Sequence, residues 1–325
     1  MSANVFPLRD VWPGRNRPAR CGLPVLIGPD PAILCTAFAL VVALPTLALW
    51  SNAVPNTVAA VAVTVPVTAA VVLLLLCAAF VEPGIIPRQQ RSRPPDNVAP
   101  EVLVGATRVP LQWCHTCLHW KPLRARHCRE IDCCVLEMDH YCPWISNCVG
   151  ARNYRFYVLF VWLTTLLDLY VLAMSTARSV SLLTPWTNTD VPRSGVCFAL
   201  CLMTLVLAWG LVPLALYHVW LVVQMRTTHE HVRGVDLAAL SGENPSCCTK
   251  FHRLLCSPMP KSFVDLKAQA DQHGCVVSRP SVIVPVQVAP PVAVAEAAPV
   301  PAQESRPDNH VVIEVPSEPD STRVG

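Results

Sequence analysis

The sequence predicts an α-helical integral membrane protein: four transmembrane helices, with a small metal-held cysteine-rich domain between the second and third. Three observations carry this. Of 325 residues, 53 % are hydrophobic and 14 % charged, against roughly 25 % charged in a soluble domain. The deficit is concentrated in four stretches, each long enough or nearly so to cross a bilayer, which takes about 20 apolar residues. Seven of the sixteen cysteines crowd between Cys114 and Cys148.

The cytosolic N-terminal segment is residues 1–31. Helices 1 and 2 occupy 32–81: Ala32–Trp50 and Thr57–Val81 contain no charge. The first is the shorter and carries Pro45. The central domain spans 82–155, opening with an Arg- and Pro-rich linker over Arg88–Pro110. Helices 3 and 4 occupy 156–225. Phe156–Ala177 has one charge, Asp168, and Val196–Met225 has none, with His218 near its end and a bend expected at Gly210 and Pro213. A C-terminal region follows at 226–275. Pro, Val and Ala dominate Val276–Pro301, and 276–325 lacks a periodic apolar face, so a disordered tail is expected there.

Lys and Arg fix the expected orientation. The first 31 residues carry Arg9, Arg15, Arg17 and Arg20, and the segment Glu82–Arg155 is also rich in Lys and Arg. The loop Ser51–Asn56 carries none, and Arg178–Gly195 only Arg178 and Arg193. Both termini and the cysteine-rich domain therefore face the cytosol. No cleavable signal peptide is read at the start. The cytosol is reducing, so clustered cysteines there point to metal or catalysis before disulfides. The formal charge of +3 is weak evidence for any partner, and no nucleic-acid partner is read from it; the basic flanks would favour anionic headgroups of membrane lipids, the alternative being that they are only the topology signal.

The run Asp139-His140-Tyr141-Cys142 places a carboxylate, an imidazole and a thiol together. A free thiol, with a pKa near 8.5, is mostly protonated at neutral pH. His140 could take the proton of Cys142, and Asp139 could hold that imidazole in one tautomer. Asp168 lies about 18 Å along the third helix at 1.5 Å per residue. It is expected to bond Thr164 or Ser175 or to lie protonated, the alternative being a polar wall in an internal cavity.

In order along the chain come Glu82-Pro83-Gly84, Cys114-x2-Cys117, His127-Cys128, Cys134, Asp139-His140-x-Cys142-Pro143-Trp144, Asn147-Cys148-Val149-Gly150, Asn153 and Thr227-Thr228-His229-Glu230. This pattern resembles the DHHC protein S-acyltransferase (palmitoyltransferase) family over most of residues 32–264, in a variant reading DHYC. Asn244-Pro245 to Cys256 also resembles, loosely, the family's C-terminal motif region.

The resemblance implies a two-step reaction. Cys142 takes a fatty acyl group from palmitoyl-CoA or another long-chain acyl-CoA. It then passes the group to cysteines of cytosol-facing substrate proteins. Trp144 would pack beside the thioester and Thr228 would contact Asp139. The family's first zinc set maps onto Cys114, Cys117, His127 and Cys134. The second maps onto Cys128 and Cys148, with Ile131 and Tyr141 standing where a Cys and a His are expected. Two thiolates do not close a tetrahedral site. One firm zinc is therefore expected, the second being absent, weakly held, or completed by Cys133 with Glu130, Asp132 or water. The expected location is the endomembrane system (Golgi or ER) or the plasma membrane. A catalytically weak or inactive zinc scaffold of the same fold is the alternative; a transporter is a third reading, which the zinc domain argues against.

Overall fold

The structure, a computed structural model, describes residues 14–18, 26–51, 53, 58–89, 99–182, 191–242 and 244–263. The expected tail, 276–325, lies outside them, as do 264–275 and most of the loop 51–56. Four helices are long and apolar enough to cross a membrane: α1 (Pro31–Trp50), α2 (Val58–Phe80), α3 (Tyr154–Leu182) and α4 (Val191–Gln224). α1 begins with Pro31, whose missing N–H would have had no helical partner at that position. α4 runs through Gly210 and Pro213 as one helix. There α3 supplies donors: the Trp162 indole bonds the Ala215 carbonyl at 3.2 Å and the Thr165 hydroxyl reaches the Leu211 carbonyl at 3.4 Å.

Between α2 and α3 lie short antiparallel strands. They are β3 (Ile85–Ile86), β4 (Glu101–Val104), β5 (Thr107–Pro110), β6 (Gln112–Cys114), β7 (His119–Lys121), β8 (Arg126–Cys128), β9 (Cys133–Val135), β10 (His140–Cys142) and β11 (Asn147–Val149). Two more, β1 (Arg17–Pro18) and β2 (Leu26–Ile27), pair ahead of α1. The domain's sheets have two strands each, apart from β3-β9-β8. Strands of two to four residues bury too little to hold themselves together.

Side chains do the joining to the membrane helices. Asn147 donates to the Ala79 and Val81 carbonyls and Asn153 to the Ala78 carbonyl, satisfying the end of α2. Glu82-Pro83-Gly84 is the turn from α2 into β3. The Glu82 carboxylate accepts the Gly84 and Ile85 N–H groups and pairs with Arg152 at 2.9 Å. Gly84 has φ +108°, a left-handed conformation that any side chain strains. After α4 come α5 (Thr228–Val232), α6 (Leu237–Ser241) and α7 (Cys247–Cys256).

Candidate active site

Strand alternation decides what each residue of the Asp139–Cys142 run meets. In the β10–β11 hairpin His140 opposes Val149, Tyr141 opposes Cys148 and Cys142 opposes Asn147. Cys142 and Val149 fall in one cluster with Leu75, Ala79, Tyr157 and Val158 of the membrane helices. Tyr141 and Cys148 fall in another, with Cys128, Ile131 and Cys133 of the cysteine-rich domain. The hairpin thus shows the thiol to the helices and the tyrosine to its own domain.

Asp139 is buried. Its Oδ2 lies 2.7 Å from His140 Nδ1, and Thr228 donates its N–H to Oδ1 and its hydroxyl to Oδ2, both at 2.7 Å. A carboxylate only accepts, so Nδ1 carries the proton and Nε2 is left for the thiol. Burial pushes the Asp139 carboxyl up, but the bonds from His140 and Thr228 outweigh it and hold the group below its ordinary value. Burial pulls the His140 imidazole down, and the Asp139 and Cys142 side chains push it up to about 9. Aromatic rings surround it: Tyr157 is edge-on at 5.1 Å between centroids and His218 is 6.1 Å away.

Thr228 is held in turn by the motif it belongs to. Thr227 caps α5 in a reciprocal box: its side chain accepts the Glu230 N–H, and Glu230 accepts the Thr227 N–H. Glu230 is buried and takes Arg124 in two bonds, Nε–Oε1 at 2.7 Å and Nη2–Oε2 at 3.0 Å. A bond this geometry favours is charge-assisted and two-pronged, and it ties the segment after α4 to the domain before α3. Nothing in the sequence pointed to Arg124; its partner lies 106 positions away.

Cys142 and Trp144 line one end of a cavity of about 380 Å³ between α1, α3 and α4. Its wall is almost wholly apolar, and Pro45, Asp168 and Thr204 line it further along the helices. Trp144 is half exposed at the mouth. Asp168 bonds neither Thr164 nor Ser175 and instead lines the cavity, the alternative reading: neither carboxyl oxygen has a hydrogen-bond partner among the described residues. A second hollow, about 660 Å³, lies beside Tyr154 and Thr227 and is lined by Arg124, Arg155, Arg226, Lys250 and Arg253.

The first metal set is assembled. The ligand atoms of Cys114, Cys117, His127 and Cys134 all lie within 4.8 Å of one another. His127 Nδ1 is 3.7, 3.4 and 4.0 Å from the three sulfurs. A tetrahedron with Zn–N and Zn–S bonds of about 2.0 and 2.3 Å has N···S edges of about 3.6 Å, so the donor set fits zinc. His127 Nε2 faces Asp132 at 3.5 Å, and Asp132 pairs with Arg88, the kind of outer contact that orients a ligating imidazole.

The second set is corrected. The Cys128 and Cys148 sulfurs lie against each other rather than around a metal, and among the described residues no other such cluster forms. Cys133 does not complete a site: it is buried beside Cys128 and Ile131, and burial pushes its thiol up to about 12. The Tyr141 hydroxyl donates to Asp30 at 2.5 Å, and burial, then Asp30, push that phenol up from its ordinary value. A residue of the N-terminal segment thus holds the side chain that stands where the resemblance expects a histidine. Gly28 lets that segment pass, since a Cβ there would meet the Ser146 carbonyl oxygen.

Residues 108–235 match the family model described as DHHC palmitoyltransferase. Palmitoyltransferase ZDHHC18 of Mus musculus is 29 % identical over 290 residues, covering 79 % of this chain and 74 % of that protein. Palmitoyltransferase ZDHHC9 of Homo sapiens is 32 % identical over 238 residues, covering 62 % of this chain and 63 % of that protein.

Proposed function

We propose, from the premise that this chain belongs to the DHHC palmitoyltransferase family, that Cys142 is the acyl-carrying nucleophile of a protein S-palmitoyltransferase. The observation that carries the reading is the place of Cys142: at the mouth of an apolar cavity, with His140, Asp139 and Thr228 bonded in series behind it. In the first step His140 Nε2 takes the Cys142 proton and the thiolate attacks the thioester carbonyl of an acyl-CoA. The Cys142 Sγ–acyl bond forms and the bond to CoA sulfur breaks, the CoA thiolate taking the proton back from the imidazolium. In the second step a substrate cysteine attacks the acyl-Cys142 thioester, again with His140 as base, and Cys142 is released.

Each neighbour has a share in this. Asp139 supports the imidazolium and Thr228 keeps Asp139 in place. The acyl chain occupies the cavity, where each methylene removed from water contributes about 0.8 kcal/mol. The hollow lined by Arg124, Arg155, Arg226, Lys250 and Arg253 suits the phosphates of CoA. Trp144 lies beside the thioester. Bound zinc would crosslink the β6–β7 turn to β8 and β9 through Cys114, Cys117, His127 and Cys134, a structural task rather than a chemical one. The chain is a multi-pass membrane protein; the Lys and Arg distribution supports a cytosol-facing site that meets cysteine-bearing substrate proteins there, in an endomembrane or the plasma membrane.

The test is labelling. Purified protein given an alkyne analogue of palmitoyl-CoA should take up hydroxylamine-labile label on Cys142, and Cys142→Ser should abolish it. Label that persists unchanged in Cys142→Ser, or never forms, favours a zinc scaffold of the same fold.

A further inference from the structure

One side chain in the apolar cavity has the wrong chemistry for its surroundings. Asp168 is 7 % exposed and lines the wall, with both carboxyl oxygens unpartnered among the described residues. Thr164, one turn earlier on the same face of α3, lines the same cavity, and its hydroxyl is also buried and unpartnered. Thr204 on α4 does not serve them: its hydroxyl turns back to the Leu200 carbonyl at 2.7 Å. Buried polar groups in native proteins have partners, and an exception calls for a ligand or an ordered water. An ionisable group at membrane depth commonly marks a substrate path.

The position along the cavity matters as much as the chemistry. Tyr157 packs in the cluster that holds Cys142. Asp168 lies eleven residues further along α3, about 17 Å at 1.5 Å per residue. An extended chain advances about 1.2 Å per bond, as three bonds per residue of extended backbone imply. An acyl chain on Cys142 therefore draws level with Asp168 after about fourteen bonds.

We propose that Asp168, with Thr164, is a specificity-determining residue, and that the cavity favours an acyl chain bearing a hydroxyl near its far end over a plain saturated chain of equal length. A hydroxyl both donates and accepts, so it can satisfy the carboxyl and the Thr164 hydroxyl together. A methyl terminus leaves both without a partner. The inference rests on the acyl-cysteine reading above and extends it to the choice of chain.

The experiment offers the full chain in lipid nanodiscs an equimolar mixture of palmitoyl-CoA and 16-hydroxypalmitoyl-CoA. The ratio of the two acyl groups on the Cys142 peptide is read by mass spectrometry. Wild type should prefer the hydroxylated chain by about tenfold, the scale of one or two net hydrogen bonds. Asp168→Leu should lose that preference and take the plain chain better, while Asp168→Asn, which keeps hydrogen-bonding atoms, should retain most of it. Equal acylation of wild type by the two chains, or an unchanged ratio in a labelled Asp168→Leu protein, overturns the role of Asp168. No acyl group of either kind on Cys142 in wild type overturns the acyl-cysteine reading instead.

Discussion

Replacing Asp139 by Asn tests the middle link of the series proposed to activate Cys142. The carboxylate is buried and takes three bonds of 2.7 Å, one from His140 and two from Thr228. Asn preserves the shape and removes the charge. The His140 imidazole now titrates at about 9, against about 6.5 for a free one, which is about 3 kcal/mol of preference for the charged form at 1.36 kcal/mol per decade. That preference keeps a proton taken from Cys142 on the ring. Its loss should slow attack by Cys142 by about 10²-fold near pH 7. The assay is a pulse of iodoacetamide followed by quantification of the Cys142 peptide, alongside the rate of acyl-enzyme formation. The same shift has a stability consequence of definite sign. The imidazole's folded value lies above its unfolded one, so its contribution is complete below about pH 6.5 and disappears as pH rises through about 9. Thermal stability of wild type should fall across that window, and that of Asp139→Asn should fall less. Alkylation and acylation of Asp139→Asn within twofold of wild type at neutral pH would refute the reasoning.

Two further outcomes follow from the contacts around the site. Glu230→Ala strands Arg124 in a mostly buried place, so it should cost about 3 kcal/mol in thermal or denaturant unfolding and reduce labelling of Cys142; Glu230→Gln, which keeps the size and a hydrogen-bonding oxygen, should cost less. Metal analysis should find one zinc per chain. Cys134→Ser should lower that value and open the Cys114–Cys134 region to proteolysis, whereas Tyr141→His should leave it at one, because Ile131 still denies the second site a ligand.

The four helices were legible because membrane insertion is written in composition: uninterrupted apolar runs need no partner to be recognised. α1, α2 and α4 start and end within a few residues of the runs that predict them, apart from the early start of α4 at Val191. The first metal set was legible through the family resemblance, which groups Cys114, Cys117, His127 and Cys134, and the structure brings those ligand atoms together. The strands of the cysteine-rich domain were not, because their two to four residues carry no measurable periodicity and depend on side-chain ties. Arg124 was equally silent. An arginine in a basic segment looks like a topology signal, and only folding brings it to Glu230. Asp168 was noticed, and it lines the cavity as the alternative reading had it rather than bonding its neighbours. Its sequence neighbours Thr164 and Ser175 offered partners in principle, but Thr164 faces the cavity without bonding it and Ser175 turns its hydroxyl to the Leu172 carbonyl.

Three ties hold the hairpin bearing Cys142 where the family resemblance would put a second metal. The Cys128 and Cys148 sulfurs pack against each other across a sequence separation of 20. Ile131, wholly buried between those cysteines and Cys133, contributes about 1.5–3 kcal/mol by leaving water. The Tyr141 hydroxyl on the Asp30 carboxylate contributes about as much again, as a bond to a charged acceptor. Asp30 also stands at the N-cap of α1, whose Ala37 and Leu40 line the cavity beside Cys142. The Tyr141–Asp30 bond is therefore a direct link between the Cys142 hairpin and the first membrane helix.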